Sequence, residues 1–381
     1  MTTKFTRRQS LALAAAAALA PRFASAADAP AGLPGTMIWS TYDVGSTGYI
    51  EASAIADALI KAYGTRVRLL PSGSGIGRIL PLKQGKAMTA WLANELFFAT
   101  RGLYEFGGRE WGPQDMRVIC GRPASFGIAV TAESGIKTMQ DLRGKRFAYA
   151  AANPSVSVKN DTLLAAAGMT RADVQVIEFP SYGDSLRALT NGQADATGAS
   201  TTSGQLSELE ASPRGISWIE LDPNDEAIWA GMEKVAPIFS PYLETIGAGI
   251  TGKAPVNLAA YRYPMITVYA DASADEVYGF FKALDTVFPD FKDSAPIMAR
   301  WDINVAGKKP MDAPFHEGAV RYLKEKGMWD DASQKWNDAA VKQITDLRAA
   351  WAAWAPGAAG LSDEAFAAEW AAARDAIMHP A

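Results

Sequence analysis

The 381-residue sequence predicts an α/β protein of two lobes. Three observations carry this reading. A strand, a small-residue loop and a helix follow one another three times before residue 100, the pattern of βαβ units and a largely parallel sheet. The same alternation starts afresh after Gly135, and a late strand at 263–269 brings the chain back toward its first lobe. The length suits two cores, since a single core rarely grows past ~250–300 residues. With 49% hydrophobic and 20% charged residues, the composition is that of an ordinary globular chain.

In the first lobe, 36–40 reads as a strand, followed by Gly45-Ser46-Thr47-Gly48 and a helix at 49–63. A strand at 66–70 leads through Ser72-Gly73-Ser74-Gly75 into a helix at 76–84, and a third strand at 88–92 leads to Asn94-Glu95. Two apolar runs, 116–120 and 126–131, flank Gly121-Arg122-Pro123. The second lobe reads as a strand at 147–151, a polar loop from Asn153 to Ser157, a helix at 158–167 closed by Gly168, a strand at 174–179, a helix at 185–190 and a strand at 194–199. Segments near 122–130 and 260–268 are the expected crossings of a hinged pair. A helix at 274–288 follows the return, and 334–354 and 364–378 read as amphipathic helices packed on the body, with Trp336, Ile344, Leu347, Trp351 and Trp354 on one face.

The first residues are an export signal. Lys4, Arg7 and Arg8 precede an apolar run at 11–20, and Ala24-Ser25-Ala26 offers a small-x-small cleavage site, so residues 1–26 read as a secretory signal peptide. The run is shorter than the ~20 residues a bilayer span needs. Thr6-Arg7-Arg8-Gln9-Ser10-Leu11 also resembles a twin-arginine signal, with Ser10 where Phe often stands, so Tat and Sec export both remain open. Cleavage after Ala26 removes four basic and no acidic residues, moving the formal charge from −4 to −8. An acidic surface argues against nucleic acid and anionic membranes as partners. Cys120 is the one cysteine, so no internal disulfide forms. No later segment reaches ~18 uninterrupted apolar residues, so no membrane span is expected in the mature chain.

Candidate binding residues lie where strands end and helices begin, the edge at which open α/β sheets hold ligands. Ser46, Thr47 and Gly48 combine hydroxyls with the orphan N–H groups of a helix start, an anion site as well as a cap. Ser72, Gly73 and Ser74 occupy the same place in the next unit, and Arg78 in the following turn suits a carboxylate, or else a surface ion pair. Asn94 and Glu95 follow the third strand; Glu95 suits an amine or a cap. In the second lobe Asn153, Ser155 and Ser157, and then Ser200, Thr201 and Thr202, are placed to reach the same ligand, with Tyr182 as a wall residue. Trp39, Trp91, Tyr104 and Trp229 read as core more readily than as cleft lining. Catalytic constellations are poorly supplied. The two histidines, His316 and His379, are both near the C-terminus, no Gly-x-Ser-x-Gly elbow surrounds Ser74, and no Walker-type lysine accompanies Ser46 and Thr47. No enzyme activity, metal or cofactor is expected.

Several of these segments together resemble the TAXI family of TRAP-transporter solute receptors. They are Gly45-Ser46-Thr47-Gly48, Pro71-Ser72-Gly73-Ser74, the stretch from Leu92 through Asn94-Glu95 to Ala99, Ser134-Gly135-Ile136-Lys137 with Asp141-Leu142-Arg143-Gly144-Lys145-Arg146, Gly192-Gln193-Ala194-Asp195-Ala196, and Phe315-His316-Glu317-Gly318 continuing to Gly327. The resemblance runs from about residue 38 to 354. It implies a type II periplasmic binding protein: a two-lobed α/β fold hinged between 34–124 with 262–330 and 125–261, ligand in the interlobe cleft, and residues 331–381 packed on the body. It implies delivery to an ion-gradient-driven TRAP permease, and with the anion-suited helix starts the expected role is a periplasmic receptor for a small organic acid or amino acid, carboxylate-bearing. A receptor for an ABC importer of the same fold is the alternative. An enzyme on this fold, as in hydroxymethylbilane synthase, needs a cofactor-bearing cysteine, and a sensor ectodomain needs a membrane span. The sequence departs from the family at Tyr49, where a second glycine is usual, at Ala93, where Gln is usual, and through Asn153-Pro154-Ser155-Val156-Ser157, so the ligands of relatives do not transfer directly.

Overall fold

The computed structural model describes residues 28–151, 153–309 and 311–378; the export segment at 1–26 and His379 lie outside them. Three βα units open the chain: β1 (Thr36–Thr41) and α1 (Thr47–Tyr63), β2 (Arg66–Pro71) and α2 (Gly75–Lys83), β3 (Thr89–Leu92) and α3 (Glu95–Arg101). A long strand, β4 (Met116–Thr131), leads to the second series: β5 (Arg146–Ala150), α4 (Pro154–Ala165), β6 (Gln175–Phe179), α5 (Tyr182–Thr190), β7 (Ala196–Ser200), α6 (Gly204–Ala211), β8 (Ile216–Trp218), α7 (Glu226–Glu233) and β9 (Ser240–Glu244). The return strand β10 (Val256–Tyr269) precedes α8 (Ala274–Phe291), α9 (Ile303–Ala306), α10 (Glu317–Glu325), α11 (Asp331–Trp354) and α12 (Asp363–Met378).

The helix starts are set locally, by the same device each time. A strand runs out, and a short polar side chain accepts an N–H that the first helical turn leaves unpaired. Ser46 accepts from Tyr49 N, Ser74 from Gly77 N, Asn153 from Val156 N and Ser181 from Asp184 N. At the far end of α1, Gly64 takes the left-handed conformation (φ 72°) and returns its N–H to Ile60 O.

The strands form one mixed sheet in the order β2-β1-β3-β10-β4-β7-β5-β6, with β8 beside β4 and β9 beside β10. Within each half a parallel trio (β2-β1-β3, and β6-β5-β7) meets an antiparallel strand that arrives from the other half. That exchange is the topology of the type II periplasmic binding fold. The sequence suggests two runs at 116–120 and 126–131, but β4 is continuous. Gly121-Arg122-Pro123 stays extended because β10 pairs along both sides of it, and the ladder absorbs the proline through irregularities between Arg262 and Met265. The short strands β8 and β9 and helix α7 have no counterpart in the sequence reading.

Two buried ion pairs lock the crossing. Arg122 on β4 grips Glu51 of α1 in a bidentate pair, Nε to Oε2 at 2.7 Å, and Trp301 Nε1 donates to the same carboxylate. Both charged side chains are essentially inaccessible. Glu244 on β9 accepts from both Nη atoms of Arg300, from Ser125 Oγ on β4, and from the N–H groups of Thr245 and Ile246. Such pairs hold geometry more than they add net stability, because desolvation offsets much of the attraction.

The C-terminal helices cover the first half. Ile344 and Leu347 are buried, Trp336 packs edge-on to Phe315, and Trp351, Trp354, Phe366 and Trp370 form one aromatic cluster. Trp370 Nε1 donates to Gly102 O, and Arg348 pairs with Asp115, fastening α11 and α12 to the body.

Breaking one member of the Arg122–Glu51 pair strands its partner in the core. An Arg122→Met variant is expected to lose about 3–5 kcal/mol of stability, measured by urea unfolding.

Candidate functional site

Where the two halves face each other, the C-terminal ends of β1 and β3 oppose the starts of α4 and α5. The space between them is a cavity of about 40 Å³, lined by Tyr42, Asp43, Ser46, Arg78, Glu95 and Tyr263 on one side and Phe126, Asn153, Ser155, Lys159, Tyr182 and Tyr261 on the other. A cavity this size holds a few waters and no organic solute, so a solute enters only when the halves part. Larger grooves open on the surface, one of about 580 Å³ near Lys83, Lys86 and Tyr269, but none of them gathers buried charge from both halves.

Arg78 is 1% exposed and pairs with the equally buried Glu95 at 2.5 Å. Arg78 Nη1 also donates to Ser72 O, its guanidinium stacks 3.9 Å over the Tyr42 ring, and Tyr42 OH donates to Glu95. Burial pushes the Glu95 carboxyl up, but Arg78 and Lys159 outweigh it and hold the group below its ordinary range. Burial likewise works against the Arg78 cation, and Glu95 overcomes it. Among the residues lining this cavity, Arg78 has a buried atom, Nε, with no hydrogen-bond partner.

Lys159 is the second buried cation. It rises from α4 with its ammonium 3.1 Å from Ser155 Oγ on its own helix and 3.4 Å from Asn94 Oδ1 across the cleft. Phe126 and Tyr261 present their rings at 5.3 and 5.2 Å. It is 3% exposed and forms no ion pair among the described residues. Burial pulls its pKa down to about 8, against the opposing pull of Glu95 and Asp312. Behind Asn94, whose Nδ2 donates to Asp312 Oδ2 at 2.9 Å, burial lifts the Asp312 carboxyl to about 6.

The structure brings most of the sequence-selected residues to this cleft, in differing roles. Ser46, Arg78, Glu95, Asn153, Ser155 and Tyr182 line the cavity. Asn94 stands directly behind it, bridging Asp312 and Lys159. Gly48 is buried against Tyr42, where a Cβ would lie 2.5 Å from the ring. Others tie the halves together: Thr47 Oγ1 donates to Thr202 O at 2.8 Å, and Asn153 Nδ2 reaches Gly73 O at 3.5 Å. Ser74 caps α2, and Ser72 serves Arg78 through its carbonyl. Ser200 offers its N–H to the Tyr182 hydroxyl.

Three residues are turned elsewhere. Thr201 Oγ1 donates to Ile246 O, Ser157 Oγ donates to Ala150 O, and Tyr49 is a half-buried helix residue; none lines the cavity. Among the aromatic candidates, Trp39 and Trp91 are core, tilted against each other with ring centroids 5.6 Å apart. Sequence reasoning missed Lys159 and the tyrosines 42, 261 and 263. The usable signals were the i, i+4 spacing of Ser155 and Lys159 in an otherwise uncharged first turn and a half, and the i, i+2 spacing that puts Tyr261 and Tyr263 on one face of β10.

The fold and this cleft define a two-lobed α/β protein with a buried, cation-bearing space between its lobes. The chain belongs to the NMT1-like family, whose model matches residues 40–327. No curated protein matches it. Among solved structures it is similar to the periplasmic aliphatic sulphonate binding protein SsuA from Escherichia coli, at 13% identity and a TM-score of 0.46, covering 83% of this chain and 93% of that one. The alkanesulfonate-binding protein SsuA from Xanthomonas axonopodis pv. citri, bound to MOPS, gives 15% identity, 84% and 95% coverage and a TM-score of 0.43. An amino acid ABC transporter substrate-binding protein, AbpA from Streptococcus pneumoniae bound to L-arginine, gives 13%, 71% and 94%, and 0.40. These are distant likenesses. Among the described residues no helix is long and apolar enough to cross a membrane, and no group of His, Cys, Asp or Glu is placed to hold a metal ion.

The lowered Lys159 pKa fixes a pH signature. Below pH 8 the folded chain carries the full cost of its buried ammonium. Between about 8 and the ordinary 10.5 the unfolded chain holds a proton that the folded one has released, so this contribution to stability rises with pH. Relative to a Lys159→Met variant, the protein is expected to gain on the order of 2–3 kcal/mol across that window, read by chemical denaturation at pH 7.5, 9 and 10.5.

Proposed function

We propose that the protein is a periplasmic solute receptor that captures a small carboxylate-bearing organic acid by closing its two lobes and delivers it to a TRAP-type, ion-gradient-driven permease. It performs no chemistry on the solute and carries no cofactor. The observation that carries this reading is Lys159: a fully buried ammonium at the lobe interface whose bonded partners are all neutral oxygens. Burying an unpaired charge is costly, and an anionic ligand is the group that would offset the cost. Arg78 Nε, buried without a partner in the same cavity, supplies a further donor.

The helix starts act as lesser contributors. Ser46 and Asn153 stand at the N-termini of α1 and α4, which point at the cavity from opposite lobes and favour negative charge between them. Closure is a population shift driven by contacts made only when both lobes touch the ligand. The Thr47–Thr202 and Asn153–Gly73 bonds join the lobes directly in the closed arrangement.

The permease assignment rests on the TAXI resemblance. A receptor for an ABC importer would use the same cleft, and the neighbouring genes distinguish the two: a fused large and small TRAP permease in one case, an ATPase with its channel in the other. Periplasmic placement rests on the export signal read at 1–26.

Thermal unfolding of the mature protein against mono- and dicarboxylates, amino acids, amines and neutral solutes tests the reading. A bound acid at ~100 times its dissociation constant adds roughly 2.7 kcal/mol, a rise of at least several degrees for a chain of this size. Response to amines or neutral solutes alone would remove the anion reading and leave a receptor of another specificity.

A further inference from the structure

We infer that the solute is a monoanionic aromatic carboxylate, a single carboxylate carried on a flat ring body; this rests on the receptor reading above. Charge counting gives the first half of the inference. Two cations face the cavity, and one of them, Arg78, is already neutralised by Glu95, whose carboxylate also holds Tyr42. Lys159 is the deeply buried charge without a carboxylate partner, and Asp43 sits half-exposed at the cavity's edge, so the closed cleft compensates one buried negative charge and not two. A dicarboxylate would bury an uncompensated charge beside Asp43 and Glu95.

The walls give the second half. Five rings line the cavity: Tyr42, Phe126, Tyr182, Tyr261 and Tyr263. They already meet one another in the geometries that rings prefer, Tyr42 edge-on to Tyr263 at 5.1 Å, Phe126 edge-on to Tyr261 at 6.0 Å, and Tyr261 stacked with Tyr263 at 5.7 Å and 13°. Two of the four tyrosine hydroxyls are already engaged by the protein: Tyr42 donates to Glu95, and Tyr182 accepts from Ser200 N. What the walls offer a ligand is chiefly ring edges and faces around one ammonium, with Ser46, Asn153 and Ser155 at the helix starts. Such a lining receives a flat π-system readily.

The test is calorimetric titration of the intact mature protein with matched probes: benzoate and 3-phenylpropanoate, their cyclohexyl counterparts, their primary amides, and succinate and glutamate. The aromatic monocarboxylates are expected to bind at least 10-fold more tightly than every other probe. Lys159→Met, checked for native circular dichroism, is expected to weaken benzoate or 3-phenylpropanoate at least 10-fold while leaving the amides unchanged. Equal binding of the cyclohexyl acids, or tighter binding of succinate or glutamate, would overturn the aromatic monoanion and leave the organic-acid receptor standing. Binding of the amides as tightly as the acids, or of no probe of any class, would bring down both readings together.

Discussion

The antiparallel ladder between β4 and β10 is the constraint on which the rest of the molecule depends. Each strand begins in one half of the sheet and ends in the other, and they pair with each other on both sides of the crossing. The halves are therefore joined by two covalent strands held in register, and they can part only by bending where those strands change neighbours. Arg122 and Ser125 sit at that place and are tied outward, to Glu51 and Glu244. The ion pairs fix the angle from which each half departs, and so fix which helix starts oppose each other across the cleft.

Cleft electrostatics follow from the same geometry. Strands in each parallel trio end at the crossing side, so the polar residues that cap the following helices converge there from both halves. Arg78 and Glu95 come from successive βα units of the first half and neutralise each other. Lys159 comes from the second half and meets Asn94 across the cleft and Ser155 on its own helix, with Asp312 one hydrogen bond further back. This unequal sharing of charge between the two halves is what the proposed capture of an anion rests on.

Much of the architecture was legible from periodicity and punctuation. The alternation of strands and helices, the caps at Ser46, Ser74 and Asn153, and the two crossing segments are local features written in short spacings. Arg78 and Glu95 were both visible as candidates, but their mutual pairing was not, since it depends on how tightly α2 and α3 pack. Lys159 was illegible for a similar reason. A lysine in a helix is usually solvated, and only the approach of Asn94 from the other half and of the Phe126 and Tyr261 rings buries it. Proline at 123 suggested a break in the strand where the doubled pairing of β10 permits none. The short strands β8 and β9 carry too few residues for an alternation to register.

The placement of the rings has an optical consequence. Tryptophans crowd the covering helices, where residues 351, 354 and 370 cluster, and the core, where residues 39, 91 and 301 meet. None of them lines the cavity, whose rings are one phenylalanine and four tyrosines. Indole emission from this protein therefore reports mainly on the integrity of its core and its outer helices. Occupancy of the cleft is written instead in the near-ultraviolet absorbance and dichroism of its buried phenols.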